Sequence, residues 1–179
     1  MSEGPLLDRE GIRGALTRLG ERLARRGVTA DVYVFGGAAM ALAYDARRAT
    51  RDIDALFKPH GVVVEEARAV ADELGLPHWW LNEQASVYVA SGGDANAATI
   101  FEHRGLRVSA ASPEHLLAMK VHAARRRDLD DIRFLVDKLE LTDVESVVAL
   151  CDEIFPDEPL PARARLVLED VFEPRGAAE

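Results

Sequence analysis

Apolar residues recur along this chain with two different periods, and the alternation between them outlines the fold. From Leu6 to Arg26, Leu7, Ile12, Leu16, Leu19 and Leu23 fall on roughly one face of a helix. Arg9, Arg13, Arg18, Arg22, Arg25 and Arg26 surround that face, and Gly27 is placed to end the helix. Val32 to Phe35 is apolar on both faces, as an interior strand should be. Gly36 and Gly37 make a turn, and Ala38 to Tyr44 is apolar almost all round, which predicts a buried helix. Ile53, Ala55 and Phe57 then alternate with polar neighbours, the mark of a half-buried strand. Lys58, Pro59, His60 and Gly61 end it. Val62 to Leu76 returns to the helical period, with Val63, Ala67, Val70, Ala71 and Leu74 as its stripe. The order strand, helix, strand, helix predicts an α/β domain.

The second half is read the same way. Ser86 to Ala90 is expected to be a short strand, and Ser91 to Asn96 a turn. Thr99–Glu102 and Leu106–Ala110 predict a hairpin around His103, Arg104 and Gly105. Ser112 and Pro113 suit the N-cap and first position of a helix. Asp128 suits the N-cap of the next, with Asp131 in its first turn. Val144–Phe155 and Pro161–Phe172 are two closing helices separated by Pro156 to Pro159. The expected organisation is an N-terminal helix over 1–29, a core with a mixed sheet over 30–111, a helical portion over 112–173, and a disordered tail over 174–179.

Composition narrows the function classes. The chain has 179 residues and 48% hydrophobic content, enough for one cored domain with a helical appendage. No run of about 18 apolar residues is present, so no membrane partner is expected. The N-terminal residues lack the pattern of a signal or transit peptide, and the bacterial cytoplasm is the expected compartment. Cys151 is the one cysteine, so no intrachain disulfide forms; its helical apolar neighbours predict a buried structural thiol. A net charge of −9 argues against broad non-specific binding of nucleic acid, though not against a local basic patch. The arginines of the first helix would touch RNA or pair with Glu10 and Glu21 as a solvated face.

Chemistry concentrates between Asp31 and Phe57. Two glycines before a helix let a ligand approach the backbone, and the helix N-terminus offers N–H groups to phosphate. In a strand, Asp52 and Asp54 point to one face, roughly 6.5–7 Å apart at Cα. Two like charges so close call for a cation, and Mg²⁺ is the natural one for carboxylates acting with phosphate. Arg47, Arg48 and Arg51 precede the strand and would neutralise phosphate oxygens. The bland alternative is a turn and two surface aspartates. Trp79 and Trp80 would stack on a base or close the core. On a wheel of about 100° per residue, Lys120 falls between Leu116 and Leu117. Its amine either snorkels out of the apolar face or is a buried cation serving a negative site.

Gly36-Gly37-Ala38, followed by Arg48-Ala49-Thr50-Arg51-Asp52-Ile53-Asp54, resembles the catalytic core of the DNA polymerase β-like nucleotidyltransferase superfamily. Within it, these motifs look like the AbiEii/MenT group, nucleotidyltransferase toxins of bacterial toxin–antitoxin systems. Aminoglycoside and lincosamide nucleotidyltransferases share a similar core. The resemblance spans about Val32 to Leu139, with specific motifs at 36–54 and 116–132. The segment with Trp80 and Asn82 also resembles one in uncharacterised nucleotidyltransferase-like bacterial proteins. The implied fold is an α/β (α+β) nucleotidyltransferase fold, a small mixed sheet flanked by helices with a C-terminal helical portion.

The resemblance implies roles. Asp52 and Asp54 would hold Mg²⁺, with Mn²⁺ as the alternative metal. Gly36, Gly37, Ala38, Arg48, Thr50 and Lys120 would bind the NTP. Lys120, in Leu116-Leu117-Ala118-Met119-Lys120, matches a lysine that contacts phosphates. Asp131 matches the last aspartate of a following segment and would orient that cation. Many members carry a hydroxyl residue where Ala38 stands. A third carboxylate is expected after the pair, with Glu102 and Asp94 as candidates; ordinary surface charge is the other account of both. The implied reaction moves a nucleoside monophosphate from an NTP to a hydroxyl, by analogy the tRNA 3′ end, with a cognate antitoxin as partner. The rivals are transfer to a small molecule or a protein, and a non-catalytic antitoxin or regulatory protein on this fold.

Overall fold

The computed structural model describes residues 5–44 and 49–173. In chain order its elements are α1 (Arg9–Arg25), β1 (Ala30–Val34), α2 (Gly36–Ala43), β2 (Ile53–Lys58), α3 (His60–Leu74), β3 (Leu81–Asn82), β4 (Ala98–His103), β5 (Leu106–Ala110), α4 (Pro113–Ala123), α5 (Leu129–Lys138), α6 (Val144–Ile154) and α7 (Ala162–Phe172). They form two compact units. One holds residues 1–87 and 96–111; the other holds 88–95 and 112–179. Among the described residues no helix is long and apolar enough to cross a membrane.

The first unit is built on a five-stranded mixed sheet in the order β3-β2-β1-β5-β4. β1 is central, antiparallel to β2 and parallel to β5. The expected α/β class with a mixed sheet and flanking helices is what forms. Alternation sorts the strands as the apolar pattern requires. Ala30, Val32 and Val34 of β1, Ile53, Ala55 and Phe57 of β2, and Leu106, Val108 and Ala110 of β5 are all buried. Ile12, Leu16, Leu19 and Leu23 of α1 and Val63, Ala67 and Val70 of α3 supply buried apolar residues from the helices. Trp80 is fully buried and its indole N–H donates to the Ala67 carbonyl at 2.8 Å, so it closes the core, while Trp79 is exposed. α1 lies close on the β4–β5 hairpin: a Cβ at Gly105 would stand 2.3 Å from the Gly20 carbonyl oxygen.

Several expectations are corrected. α1 begins at Arg9 behind an Asp8 cap, so Leu7 is not helical and instead forms an isolated bridge with Thr50. The arginines of α1 reach further than Glu10 and Glu21. Arg22 and Arg26 hold Glu66 of α3 at 2.7 and 2.9 Å, Arg26 also holds Glu65, and Arg18 pairs with both Glu21 and Glu73. Leu74 is exposed rather than part of the buried stripe of α3, where Glu66 is buried in its company. Ser86–Tyr88 is a single 3₁₀ turn, not a strand, and Val87 projects into solvent. β3 is an unexpected strand of two residues.

The second unit packs four helices, α4 to α7. Ser112 caps α4 by accepting from the His115 N–H at 3.2 Å. Leu116, Leu117, Val121, Ile132, Leu135, Val147 and Leu168 are among its fully buried residues. The tail, 174–179, lies outside the described residues.

Candidate functional site

The turn after β1 places a glycine against an aspartate. β1 and β2 are antiparallel, with Val34 opposite Ala55. One step further the Phe35 N–H donates to the Asp54 carbonyl at 3.0 Å. The next residue, Gly36, therefore meets the Asp54 side chain: a Cβ there would stand 3.1 Å from Asp54 Oδ2. Gly36 also has φ of 65°, a conformation side chains disfavour. The backbone conformation favours glycine, and the close approach leaves a side chain here little room. The glycines do not precede the helix, as the pattern suggests; they form its first turn, with Phe35 as a cap that makes no side-chain bond. Ala38 is buried behind them.

Asp52 sits on the bend that leads into β2, one residue before the strand. Asp52 and Asp54 are each half-buried, on either side of a fully buried Ile53. Thr50 ties this bend together. Its backbone bridges Leu7 in both directions at 2.7 and 2.8 Å, and its hydroxyl donates to the Asp52 carbonyl at 3.0 Å. The same hydroxyl oxygen lies 3.2 Å from where a Cβ on Gly37 would be. A hydroxyl thus stands beside the second glycine although Ala38 carries none. Asp52 Oδ2 accepts a hydrogen bond from Asn82 Nδ2 at 2.9 Å. The first unit therefore brings Gly36, Gly37, Thr50, Asp52 and Asp54 together. Arg47 and Arg48 lie outside the described residues, and Arg51 is exposed.

The donor set suits a divalent ion that also takes ligands from substrate. Among the described residues no group of three or more His, Cys, Asp or Glu side chains is placed to hold a metal. A pair of carboxylates is a donor set that fits Mg²⁺, which keeps waters and phosphate oxygens in its shell. Neither candidate for a third acid belongs to such a group. Glu102 is an exposed residue near Arg107. Asp94 is not a surface charge: its side chain is 3% exposed, accepts from the Ser112 N–H at 2.7 Å and pairs with His115. Further along the same side of β2 as Asp54 comes Leu56. There a cavity of about 300 Å³ is lined by Tyr33, Leu56, Lys58, Glu83, Arg107 and Ser109, among others.

The second unit holds the remaining expected residues. Lys120 is buried on α4, and its Nζ donates to Asp131 Oδ2 at 2.9 Å and Asp128 Oδ1 at 3.0 Å. It does not snorkel; it is a buried cation held by two carboxylates. Asp128 makes no side-chain cap on α5, contrary to its sequence position, because its carboxylate is turned to Lys120. Asp128 was the member of this cluster with no expected chemistry. The signal that could have found it was the lysine eight residues earlier on an apolar face.

The family model described as nucleotidyltransferase of unknown function (DUF6036) matches residues 15–159. Comparison with curated proteins and with solved structures finds no match.

Proposed function

The chain belongs to this family of nucleotidyltransferases of unknown function, and on that premise we propose that it transfers a nucleoside monophosphate from an NTP to a hydroxyl acceptor with Mg²⁺ as cofactor. The observation that carries the proposal is the contact of Gly36 with Asp54: a backbone bare of side chain faces a carboxylate at a helix start. A triphosphate needs N–H donors and carboxylates for a divalent ion at one place, and here the chain has both kinds of group.

Asp52 and Asp54 would hold Mg²⁺ or Mn²⁺. The ion, when bound, neutralises phosphate charge and lowers the pKa of the acceptor hydroxyl. The N–H groups of the first turn of α2 bind phosphate oxygens, and the hydroxyl of Thr50 stands where it adds one more polar contact. Asn82 and Thr50 fix the Asp52 side chain and main chain. The cavity beside Leu56 and Tyr33 takes an apolar or aromatic portion of a substrate. Asp131 holds the Lys120 ammonium at 2.9 Å, while contact of Lys120 or Arg48 with phosphate rests on the resemblance alone.

The resemblance to AbiEii/MenT toxins favours the tRNA 3′ hydroxyl as acceptor, with a cognate antitoxin controlling the activity. A small-molecule acceptor is the second reading. It is favoured by Arg18, Arg22 and Arg26, which pair with acids of the same unit, although Arg9, Arg13 and Arg25 are exposed. The test incubates the full chain with Mg²⁺, each labelled NTP and total tRNA, with Asp52→Ala as control. Label on tRNA that is lost in the variant supports the first reading. Metal-dependent label on a small acceptor supports the second. No transfer and no binding of metal or NTP would overturn both.

A further inference from the structure

Asp52 is not held by a regular strand. It lies on a bend, and the sheet ladder begins one residue later. Its side chain is held instead by Asn82. β3, only Leu81 and Asn82, pairs parallel with β2 in a register that sets Asn82 beside Asp54. Asn82 is 9% exposed, and its amide is fixed on three sides. Nδ2 donates to Asp52 Oδ2 at 2.9 Å and to the Trp79 carbonyl at 3.1 Å, while Oδ1 accepts from the Gln84 N–H at 2.9 Å. The two backbone contacts dictate which way the amide faces: the Gln84 N–H requires the oxygen and the Trp79 carbonyl requires the nitrogen. An N–H therefore points at Asp52 by necessity.

We propose that Asn82 is the positioning residue of the acid pair: a neutral amide, beside Asp54 in the sheet, that grips Asp52 by Oδ2 and leaves Oδ1 to a divalent cation. The inference rests on the nucleotidyl-transfer reading of the pair. The strand flanking Asp54 thus brings a hydrogen-bond donor, not another negative charge, to the pair. The competing account is that Asn82 only knits the turn from Trp79 to Gln84.

Mn²⁺ titration of the full chain, followed by electron paramagnetic resonance, separates the two. Asn82→Ala is expected to weaken Mn²⁺ binding by about tenfold or more, the usual effect of removing a residue that orients a ligand. The Mg²⁺ concentration for half-maximal transfer should rise in step, while kcat at saturating Mg²⁺ changes less. In an Asp52→Asn background, Asn82→Ala should cause no further loss, because its effect runs through that carboxylate. Asn82→Ser, which retains a donor and an acceptor, is used if the alanine variant does not melt cooperatively; several-fold weaker Mn²⁺ binding is expected. Wild-type affinity in the variants, or an undiminished loss in the double variant, overturns the inference alone. A wild-type chain that neither binds Mn²⁺ nor transfers a nucleotide overturns the reading beneath it.

Discussion

Removing the cation from the buried cluster of the second unit should cost far more than removing either of its anions. Lys120 and Asp131 side chains are 8% and 6% exposed, and Asp128 is 16% exposed. Lys120→Met takes the cation from between two neighbouring carboxylates, and breaking a buried pair this way costs about 3–5 kcal/mol. For a chain of this length each kcal/mol moves Tm by about 2–4 °C, so the fall should be about 6–20 °C. Asp131→Asn is milder. Lys120 keeps Asp128, and the asparagine oxygen still accepts, so the loss should be about 1–2 kcal/mol. The combined variant Lys120→Met, Asp128→Asn, Asp131→Asn removes all three charges and should recover much of the stability lost by Lys120→Met. Far-UV circular dichroism melts suit the assay because the second unit is helical, whereas both tryptophans lie in the first. If Lys120→Met melts no lower than Asp131→Asn, or neutralising the acids restores nothing, charge compensation is not what makes the lysine necessary.

Gly36→Ala should cost about 1–2 kcal/mol for its left-handed backbone, and transfer should fall by about tenfold to a hundredfold as Asp54 is displaced; urea melts and transfer rates read the two separately. Burial would raise the carboxyl of Glu66, yet hydrogen bonds from Arg26 and Arg22 outweigh it and hold it below its ordinary value of 4.5. A depressed carboxyl stabilises the fold above that value and loses the contribution as pH falls through the lower folded value. Acid unfolding of Glu66→Gln should therefore depend less steeply on pH below about 4.5 than that of the wild type. Burial, with a smaller contribution from Asp152, pushes the Cys151 thiol up to about 12; a disulfide reagent should titrate no thiol in the native chain and one per chain in denaturant.

The order β1, α2, β2 could be read from sequence because each signal there is local, although the glycines belong to α2 and Asp52 stands one residue before β2. Val32 and Val34 sit in a continuous apolar run, Gly36 is needed by its own backbone, and Ile53, Ala55 and Phe57 alternate over enough residues to show a period. What escaped depends on distant partners. β3 is two residues long and has no period; only its pairing with Ile53 and Asp54 makes it a strand. Ser86 to Tyr88 has strand-like residues yet forms a 3₁₀ turn outside the sheet. Asp128 has every local feature of a cap, yet a buried ammonium eight residues back claims its carboxylate. Glu66 falls on the buried stripe of α3 only because two arginines of α1 reach it. The direction of β2 was also hidden: strand, helix, strand order leaves parallel and antiparallel open, and β2 runs antiparallel to β1.

The first unit is not continuous in sequence, and this bears on how the chain is made. β1 has a partner on one side as soon as β2 emerges, but its other partner, β5, lies at 106–110. Between them the chain leaves for the second unit over 88–95 and comes back. A nascent or truncated chain ending near Val87 therefore displays the central strand as a bare edge, an apolar ribbon with unpaired N–H and C=O groups. Such an edge recruits strands from other molecules. Cutting at the apparent boundary after Val87 should give an insoluble fragment, and the shortest sensible excision of the first unit ends beyond Ala111, once β5 has covered the edge.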